Sequence, residues 1–171
     1  MKKDFVMPIL VLSIICLVFT GALAFTYSVT EPIISTAAAE RENAARYELI
    51  PEADGFESIS TEGLPASIRE VYRATNDVGY IFIVTANGYG GEMRVICGIG
   101  PDGKVIRSSV LGHGETKGLG SKIEESAFSD QFIGRDNLDG GVDAVSRATI
   151  STNAYVGAIR DALAAFGTVN D

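Results

Sequence analysis

The stretch Glu92-Met93-Arg94-Val95-Ile96-Cys97-Gly98-Ile99 decides the fold class. Every second residue in it is apolar, namely Met93, Val95, Cys97 and Ile99. This period places the apolar side chains on one face of a β-strand. The turn sequence Pro101-Asp102-Gly103 follows, so residues 104–111 are expected to return as an antiparallel strand.

Two more strands are predicted before this pair. Residues 70–75 and 80–86 are rich in β-branched and aromatic residues, and the turn-forming residues 76–79 join them as a hairpin. Residues 51–68 show no clear period and contain Gly55, Gly63 and Pro65, which favours a loop or short irregular elements. The simplest arrangement is a four-stranded, mainly antiparallel sheet.

Helices are predicted after the sheet. Ser121-Lys122-Ile123-Glu124 fits a capping box, and Phe128 and Phe132 have the i, i+4 spacing of neighbours on a helix. A last helix is expected after Ile150, with Ser151 and Thr152 as capping residues and Gly167 at its end. The fold class is therefore α+β, with helices packed on a sheet.

The N-terminal segment is long and apolar enough to cross a bilayer. Residues 5–29 contain no charged residue, and Lys2 and Lys3 precede them. The positive-inside preference then leaves the N-terminus in the cytoplasm and the rest of the chain outside. A cleaved signal peptide is the alternative, because Ala22-Leu23-Ala24 matches an Ala-x-Ala site.

The domain organisation follows from this segment. Residues 1–29 are predicted to form a transmembrane anchor, and residues 30–50 a helical stalk that begins at Thr30-Glu31-Pro32 and stops at Pro51. Residues 51–171 form the extracytoplasmic domain. One compact domain of ordinary size is expected from this length.

Charge and cysteine content exclude some functions. The chain has a net charge of −8, and residues 1–29 contribute +1 (Lys2, Lys3 and Asp4), which leaves −9 on the remainder. Such a surface repels nucleic acid, so no nucleic-acid partner is expected. Cys97 is the only cysteine after residue 29, so no disulfide can form within that part, and a buried strand position is its expected role.

A possible anion site precedes the last helix at Asp143-Ala144-Val145-Ser146-Arg147-Ala148-Thr149. A helix N-terminus carries unpaired N–H groups and a partial positive charge, so it favours an anion in front of it. Thr149 would place a hydroxyl at that point. The alternative is that Asp143, Ser146 and Thr149 are only turn and capping residues.

Glycine-rich points lie between the strands, at residues 88–91, at Gly98 with Gly100, and at residues 112–120. The first two are interpreted as turns. The third also carries His113, Glu115, Thr116 and Lys117, which concentrate donors, acceptors and a cation in one loop. His113 is the only histidine, which excludes a multi-histidine metal site, and no Walker loop or Gly-x-Ser-x-Gly elbow is present.

These two segments together resemble a known family. Residues 143–149 are similar to the Asp-x-x-(Ser/Thr)-Gly-Ala-Thr motif of FMN-binding domains. Residues 113–120, His-Gly-Glu-Thr-Lys-Gly-Leu-Gly, are similar to that family's His-x-Glu-Thr-Pro-Gly-Leu-Gly segment. With the N-terminal helix, the resemblance covers nearly the whole chain and is nearest to the G subunits of Rnf electron-transport complexes, with the C subunits of sodium-pumping NADH:quinone reductases as relatives.

The resemblance implies a site in which FMN is esterified through its phosphate to Thr149 by a separate flavin transferase. Arg147 stands where the motif usually has glycine, and Lys117 where the second loop usually has proline. Arg147 could hinder the transferase or pair with the phosphate. The implied cofactor-binding residues are Asp143, Ser146, Arg147, Ala148, Thr149, Ser151, Thr152, His113, Glu115, Thr116, Lys117, Gly118, Leu119 and Gly120.

The implied function is that of a membrane-anchored electron carrier with covalent FMN, in an ion-translocating ferredoxin:NAD oxidoreductase. Its partners would be membrane and iron–sulfur subunits of that complex, and its place the cell (inner) membrane, with a single pass. Two alternatives stay open: a free-standing extracytoplasmic flavoprotein or quinone-reductase subunit with the same site, and a non-redox anchored module.

Overall fold

The computed structural model describes residues 2–170, and the side chains of residues 6–170. The predicted orienting role of Lys2 and Lys3 therefore lies outside the described side chains. In chain order the elements are helix α1 (Lys2–Leu49), strands β1 (Phe56–Ile59), β2 (Ile68–Ala74), β3 (Tyr80–Asn87), β4 (Glu92–Ile99) and β5 (Val105–Gly112), a 3-10 helix (Gly120–Glu124), helix α2 (Ser126–Ser129), a second 3-10 helix (Asp130–Phe132) and helix α3 (Thr149–Val169).

Helix α1 contains the predicted membrane segment. An 18-residue window within Val6–Leu49 has a mean hydropathy of 2.6, which is apolar enough to cross a membrane, although a signal sequence would pass the same test. The predicted helix start at Thr30-Glu31-Pro32 is wrong, because the helix runs through these residues without a break. Pro32 removes one backbone hydrogen bond, and the alanine-rich sequence after it sustains the helix.

The sheet has five strands in the order β1-β2-β3-β4-β5, and every neighbouring pair is antiparallel. The predicted strands at 70–75, 80–86, 92–99 and 104–111 correspond to β2 to β5, which confirms the mainly antiparallel α+β fold. The sequence interpretation missed β1. Its four residues show no clear alternation of burial, and β1 exists because Phe56 to Ile59 pair with β2.

The sheet is covered on both sides. One face packs under α3, where Tyr155, Ile159 and Ala162 are fully buried against residues such as Phe82 and Val95. The other face packs on the end of α1, with a core made by Leu49, Ile50, Ala53, Ala74, Ile81, Ile83 and Ile96. Burial on both faces explains why β3 is apolar at consecutive positions instead of alternating.

Individual core predictions hold. Cys97 is buried in β4 as expected, and burial raises the pKa of its thiol to about 12. Phe128 and Phe132 meet edge to face with ring centroids 5.5 Å apart, and both contact the ring of Tyr155. These contacts fix the short helices on α3.

The register of the sheet positions two loops side by side. β3 ends at Asn87, opposite Glu92 at the start of β4, and β5 ends at Gly112, opposite Arg94. The loop at residues 88–91 and the loop that begins at His113 therefore leave the same end of the sheet. The start of α3 reaches this end as well, since Ser151 bonds to Glu115.

Candidate functional site

A cavity of about 520 Å³ opens where these two loops meet the start of α3. A volume of this size is typical of small-molecule and cofactor sites. Its walls come from three segments: the loop at 88–91, the loop at 113–120 and residues 147–151. The lining residues are Tyr89, Glu115, Thr116, Leu119, Gly120, Arg147, Ala148, Thr149, Ile150 and Ser151.

Thr149 is the first residue of α3 and is exposed on the cavity wall. The preceding Ala148 is buried and provides no side-chain cap. The first N–H groups of a helix have no partner within it, and the helix dipole adds a partial positive charge there. Thr149 therefore lies beside the electropositive end of a helix, on the wall of a cavity.

The prediction that Ser151 and Thr152 cap α3 is wrong. Both are buried within its first turn, and each bonds to another segment. The Ser151 hydroxyl donates to Glu115 Oε2 at 2.7 Å, and Thr152 Oγ1 accepts the N–H of Val145 at 3.1 Å. Their role is to hold the loop at 113–120 and the segment before α3 on the helix. The predicted stop at Gly167 is also wrong, because α3 continues to Val169.

Arg147 has a positive φ of 66°. This left-handed conformation costs a residue with a Cβ about 1–2 kcal/mol, whereas glycine adopts it freely. The backbone thus explains why the resembled motif has glycine here. The Arg147 side chain lines the cavity next to Thr149 and brings the only positive charge among the lining residues.

We expect Arg147→Gly to raise the free energy of unfolding by about 0.5–1 kcal/mol, because glycine removes the strain at φ 66° but also gains freedom in the unfolded chain. Thermal unfolding followed by circular dichroism measures it. Arg147→Ala is the matched control, since it removes the guanidinium but keeps the Cβ. Equal stability of the two variants would show that this backbone position is unstrained.

Glu115 is the buried centre of the second loop, with 9% of its surface exposed. Its Oε1 accepts the N–H of Gly90 at 3.3 Å, and its Oε2 accepts the Ser151 hydroxyl at 2.7 Å. Its own N–H donates to Nδ1 of His113 at 2.9 Å. The carboxylate therefore ties both loops to α3.

His113 supports the loop from behind, since it is not among the cavity-lining residues. Because Nδ1 accepts the N–H of Glu115, the proton lies on Nε2, which is 3.0 Å from Oε1 of Glu124. Thr116, Leu119 and Gly120, three of the implied cofactor-binding residues, line the cavity. Lys117 and Gly118 lie outside its lining, and both are exposed.

The predicted capping box at 121–124 is wrong. These residues form a 3-10 helix whose preceding residue, Leu119, has no side-chain cap hydrogen bond. The Ser121 hydroxyl instead accepts the N–H of Gly118, at 2.9 Å. It thereby closes the loop that carries Leu119.

The interpretation of residues 88–91 as a simple turn is incomplete. A Cβ on Gly90 would overlap the backbone of Gly114, and one on Gly88 would overlap the Glu115 carboxylate. Glycine is therefore required at position 90 for close approach of the two loops, because the atoms in its way belong to the backbone. Sequence reasoning also missed Tyr89, although an aromatic residue between glycines beside a ligand loop was the available signal.

Asp143 and Ser146 do not line the cavity, and both are exposed. Asp143 is held through its backbone: its N–H donates to Gln131 Oε1 at 2.8 Å, and Gln131 Nε2 donates to its carbonyl at 3.3 Å. Nothing in the sequence singled out Gln131. It fixes the start of the segment that ends at Thr149.

Comparison with known proteins places this site in a family. The model of the family described as "FMN-binding domain" matches residues 88–164. The G subunit of the ion-translocating oxidoreductase complex of Methanosarcina acetivorans is 31% identical over 95% of this chain and 94% of its own length. The chain belongs to the family of these G subunits.

Two other members of the G-subunit family carry more specific names. The G subunit of a proton-translocating ferredoxin:NAD(+) oxidoreductase complex from Clostridium ljungdahlii is 26% identical over 89% of this chain and 86% of its own length. The G subunit of a Na(+)-translocating ferredoxin:NAD(+) oxidoreductase complex from Acetobacterium woodii is 31% identical over 74% of this chain and 68% of its own length. Membership alone therefore does not specify the translocated ion.

FMN fits the cavity of this family member on chemical grounds. The matched range of residues 88–164 contains every lining residue. The walls combine apolar surface from Tyr89, Leu119 and Ile150 with a helix start and a guanidinium, as an aromatic ring system with a phosphate requires. The lining of the cavity therefore lies within the FMN-binding domain and has the chemical groups that FMN requires.

Proposed function

We propose that this chain is a membrane-anchored electron carrier with FMN covalently bound to Thr149, acting as a subunit of an Rnf-type, ion-translocating ferredoxin:NAD oxidoreductase. The observation that carries the proposal is the position of Thr149, which is exposed on the cavity wall at the start of α3. Names of the relatives support the kind of complex.

The cavity offers different partners for the two ends of FMN. The N-terminus of α3 and the Arg147 guanidinium favour the phosphate, since both attract anions. Thr116, Leu119 and Gly120, on the loop at 113–120, provide a surface for the ring system. Ala148 and Ser151 complete the wall. Hydrogen bonds of Glu115, His113, Thr152 and Gly118 support its segments. Lys117 and Asp143 are exposed and lie outside the cavity lining, so no contact with FMN is proposed for them.

Attachment requires a separate flavin transferase. In the proposed reaction the Thr149 oxygen attacks the FMN phosphorus of FAD, a phosphoester bond forms, and the bond to the AMP part breaks. AMP leaves, and the hydroxyl proton is released. An exposed hydroxyl is a suitable acceptor, because a transferase must reach it.

Bound FMN supplies one- and two-electron transfer, and the protein determines its position and surroundings. Attachment through Thr149 prevents loss of the cofactor. The membrane anchor keeps the domain near its redox partners, which raises their effective concentration. Iron–sulfur and membrane subunits of the complex are the proposed partners.

The proposed location is the cell (inner) membrane, with one pass, a cytoplasmic N-terminus and the FMN domain on the extracytoplasmic side. The apolar helix over Val6–Leu49 supports the anchor. The two lysines at positions 2 and 3 support the orientation. In this arrangement the bound flavin exchanges electrons with its partners at the outer side of the membrane.

The test is in-gel fluorescence of the denatured membrane fraction after co-expression with a flavin transferase. We expect flavin emission at the mass of the chain, 18.1 kDa plus FMN. Absence of emission would contradict the redox function. Purification in mild detergent tests the complex, and a fluorescent chain that never co-purifies with polytopic subunits would indicate a free-standing flavoprotein.

A further inference from the structure

Exposed large hydrophobic side chains of the folded domain concentrate at the cavity. Over residues 42–170, the exposed large hydrophobic side chains are Tyr47, Tyr89, Leu119, Ile133 and Ile150. Three of them, Tyr89, Leu119 and Ile150, line the cavity. Tyr89 is 72% exposed, the highest fraction of the five. An aromatic ring so exposed beside a cavity is available to cover a ligand.

The position of Tyr89 is fixed by its neighbours in the chain. Gly88 and Gly90 flank it. A Cβ on Gly90 would overlap the backbone of the second loop, and a Cβ on Gly88 would displace the Glu115 carboxylate. The Gly90 N–H donates to Glu115 Oε1, and the other oxygen of this buried carboxylate accepts the Ser151 hydroxyl. The backbone on both sides of Tyr89 is therefore held against the loop and helix that form the other walls.

We propose that Tyr89 packs its phenol ring against the isoalloxazine ring of FMN, and that Glu115 is the positioning residue that holds it there. This inference rests on the proposed function, because it requires FMN in the cavity. Stacked or edge-on aromatic contact stabilises such a pair beyond simple burial. It also assigns Glu115 a supporting role and not direct contact with the reacting atoms.

The proposal has a spectroscopic signature. A phenol in contact with an excited flavin donates an electron to it and quenches its emission. Phenylalanine retains the aromatic contact but is a much poorer electron donor, whereas leucine loses both properties. Tyr89 is exposed, so its substitution carries little risk for folding.

The experiment uses the full chain with attached FMN and measures emission lifetime and quenching by iodide. We expect Tyr89→Phe and Tyr89→Leu to increase the lifetime several-fold, and only Tyr89→Leu to make the flavin more accessible to iodide. Tyr47→Leu is the matched control, because Tyr47 is exposed but does not line the cavity. It should leave both values unchanged.

The role of Glu115 is tested in the same chain. Glu115→Ala should lengthen the lifetime although Tyr89 is present, and the Tyr89→Leu/Glu115→Ala double variant should match Tyr89→Leu alone. Glu115→Gln should behave as the parent chain, since the amide can accept from Gly90 and donate to the Ser151 hydroxyl. If Glu115→Ala does not fold, Ser151→Ala removes one of the two bonds and should give a smaller effect in the same direction.

The variants report on the Tyr89 contact and on the role of Glu115, whereas the parent chain reports on the proposed function. A fluorescent parent chain whose lifetime is unchanged in Tyr89→Leu would overturn the contact. A longer lifetime in Tyr89→Leu with no change in Glu115→Ala and Ser151→Ala would overturn the positioning role. A parent chain that carries no flavin after co-expression with the transferase would instead overturn the proposed function itself.

Discussion

Thr149→Val is expected to abolish covalent flavin, so that no fluorescent band remains at the mass of the chain. Valine has nearly the same shape as threonine but lacks the hydroxyl oxygen that would form the phosphoester. Thr149 is exposed, so the free energy of unfolding should change by no more than about 0.5 kcal/mol. In-gel fluorescence of the denatured chain measures attachment, and circular dichroism confirms that the variant is folded.

Two controls accompany this variant. Thr168→Val makes the same chemical change at an exposed position in the last turn of α3, and it should retain full fluorescence. Thr149→Ser keeps a hydroxyl and should retain part of it. A fluorescent band in Thr149→Val would mean that the ester forms elsewhere, and Ser146 would then be the next hydroxyl to replace.

The sequence predicted the parts of the fold that repeat a local pattern. Met93, Val95, Cys97 and Ile99 alternate, and all four are buried on the sheet face that packs under α3. β1 was missed because a four-residue edge strand carries little periodic signal, and its pairing with β2 supplies the missing information. A strand with a clear period can be predicted from its own residues, whereas a strand defined by its pairing requires knowledge of its partner.

For the site, the sequence indicated the segments correctly but not the contacts between them. Ser151 and Thr152 stand near a helix start and have capping side chains, so local reasoning made them caps. Their hydroxyls instead bond to Glu115 and Val145, which lie on other segments. The glycine at position 90 was explained as a turn for the same reason, since Gly114 approaches it only in the folded chain.

Arg147 stands where the resembled motif has glycine, and the backbone conformation shows why glycine suits this position. Its φ of 66° identifies the position as one that suits glycine, so the side chain is retained here at a cost in stability. A guanidinium at the cavity wall beside Thr149 is a gain that could offset this cost when an anion is bound. Measured without flavin, the stability of Arg147→Gly reports the backbone contribution alone, because no phosphate is present for the guanidinium to attract.

The second large effect is expected for Gly90→Ala. The added Cβ would overlap the carbonyl group of Gly114 and approach the nitrogen of Glu115, and none of these backbone atoms can rotate away. The two loops must separate, which also breaks the hydrogen bond from the Gly90 N–H to Glu115. We expect the free energy of unfolding to fall by about 1–3 kcal/mol, the usual cost of overpacking.

Gly112→Ala is the matched control for this variant, because it makes the same change at the end of β5, where a Cβ would have no atom within 4 Å. It should alter the free energy of unfolding by no more than about 0.5 kcal/mol. Urea unfolding compares the two variants, and hydrogen exchange at the Gly90 amide reports whether the loops have separated. Similar stability and similar exchange in both variants would show that the loops do not meet at Gly90 and Gly114. Tyr89 would then not be held beside the loop at 113–120.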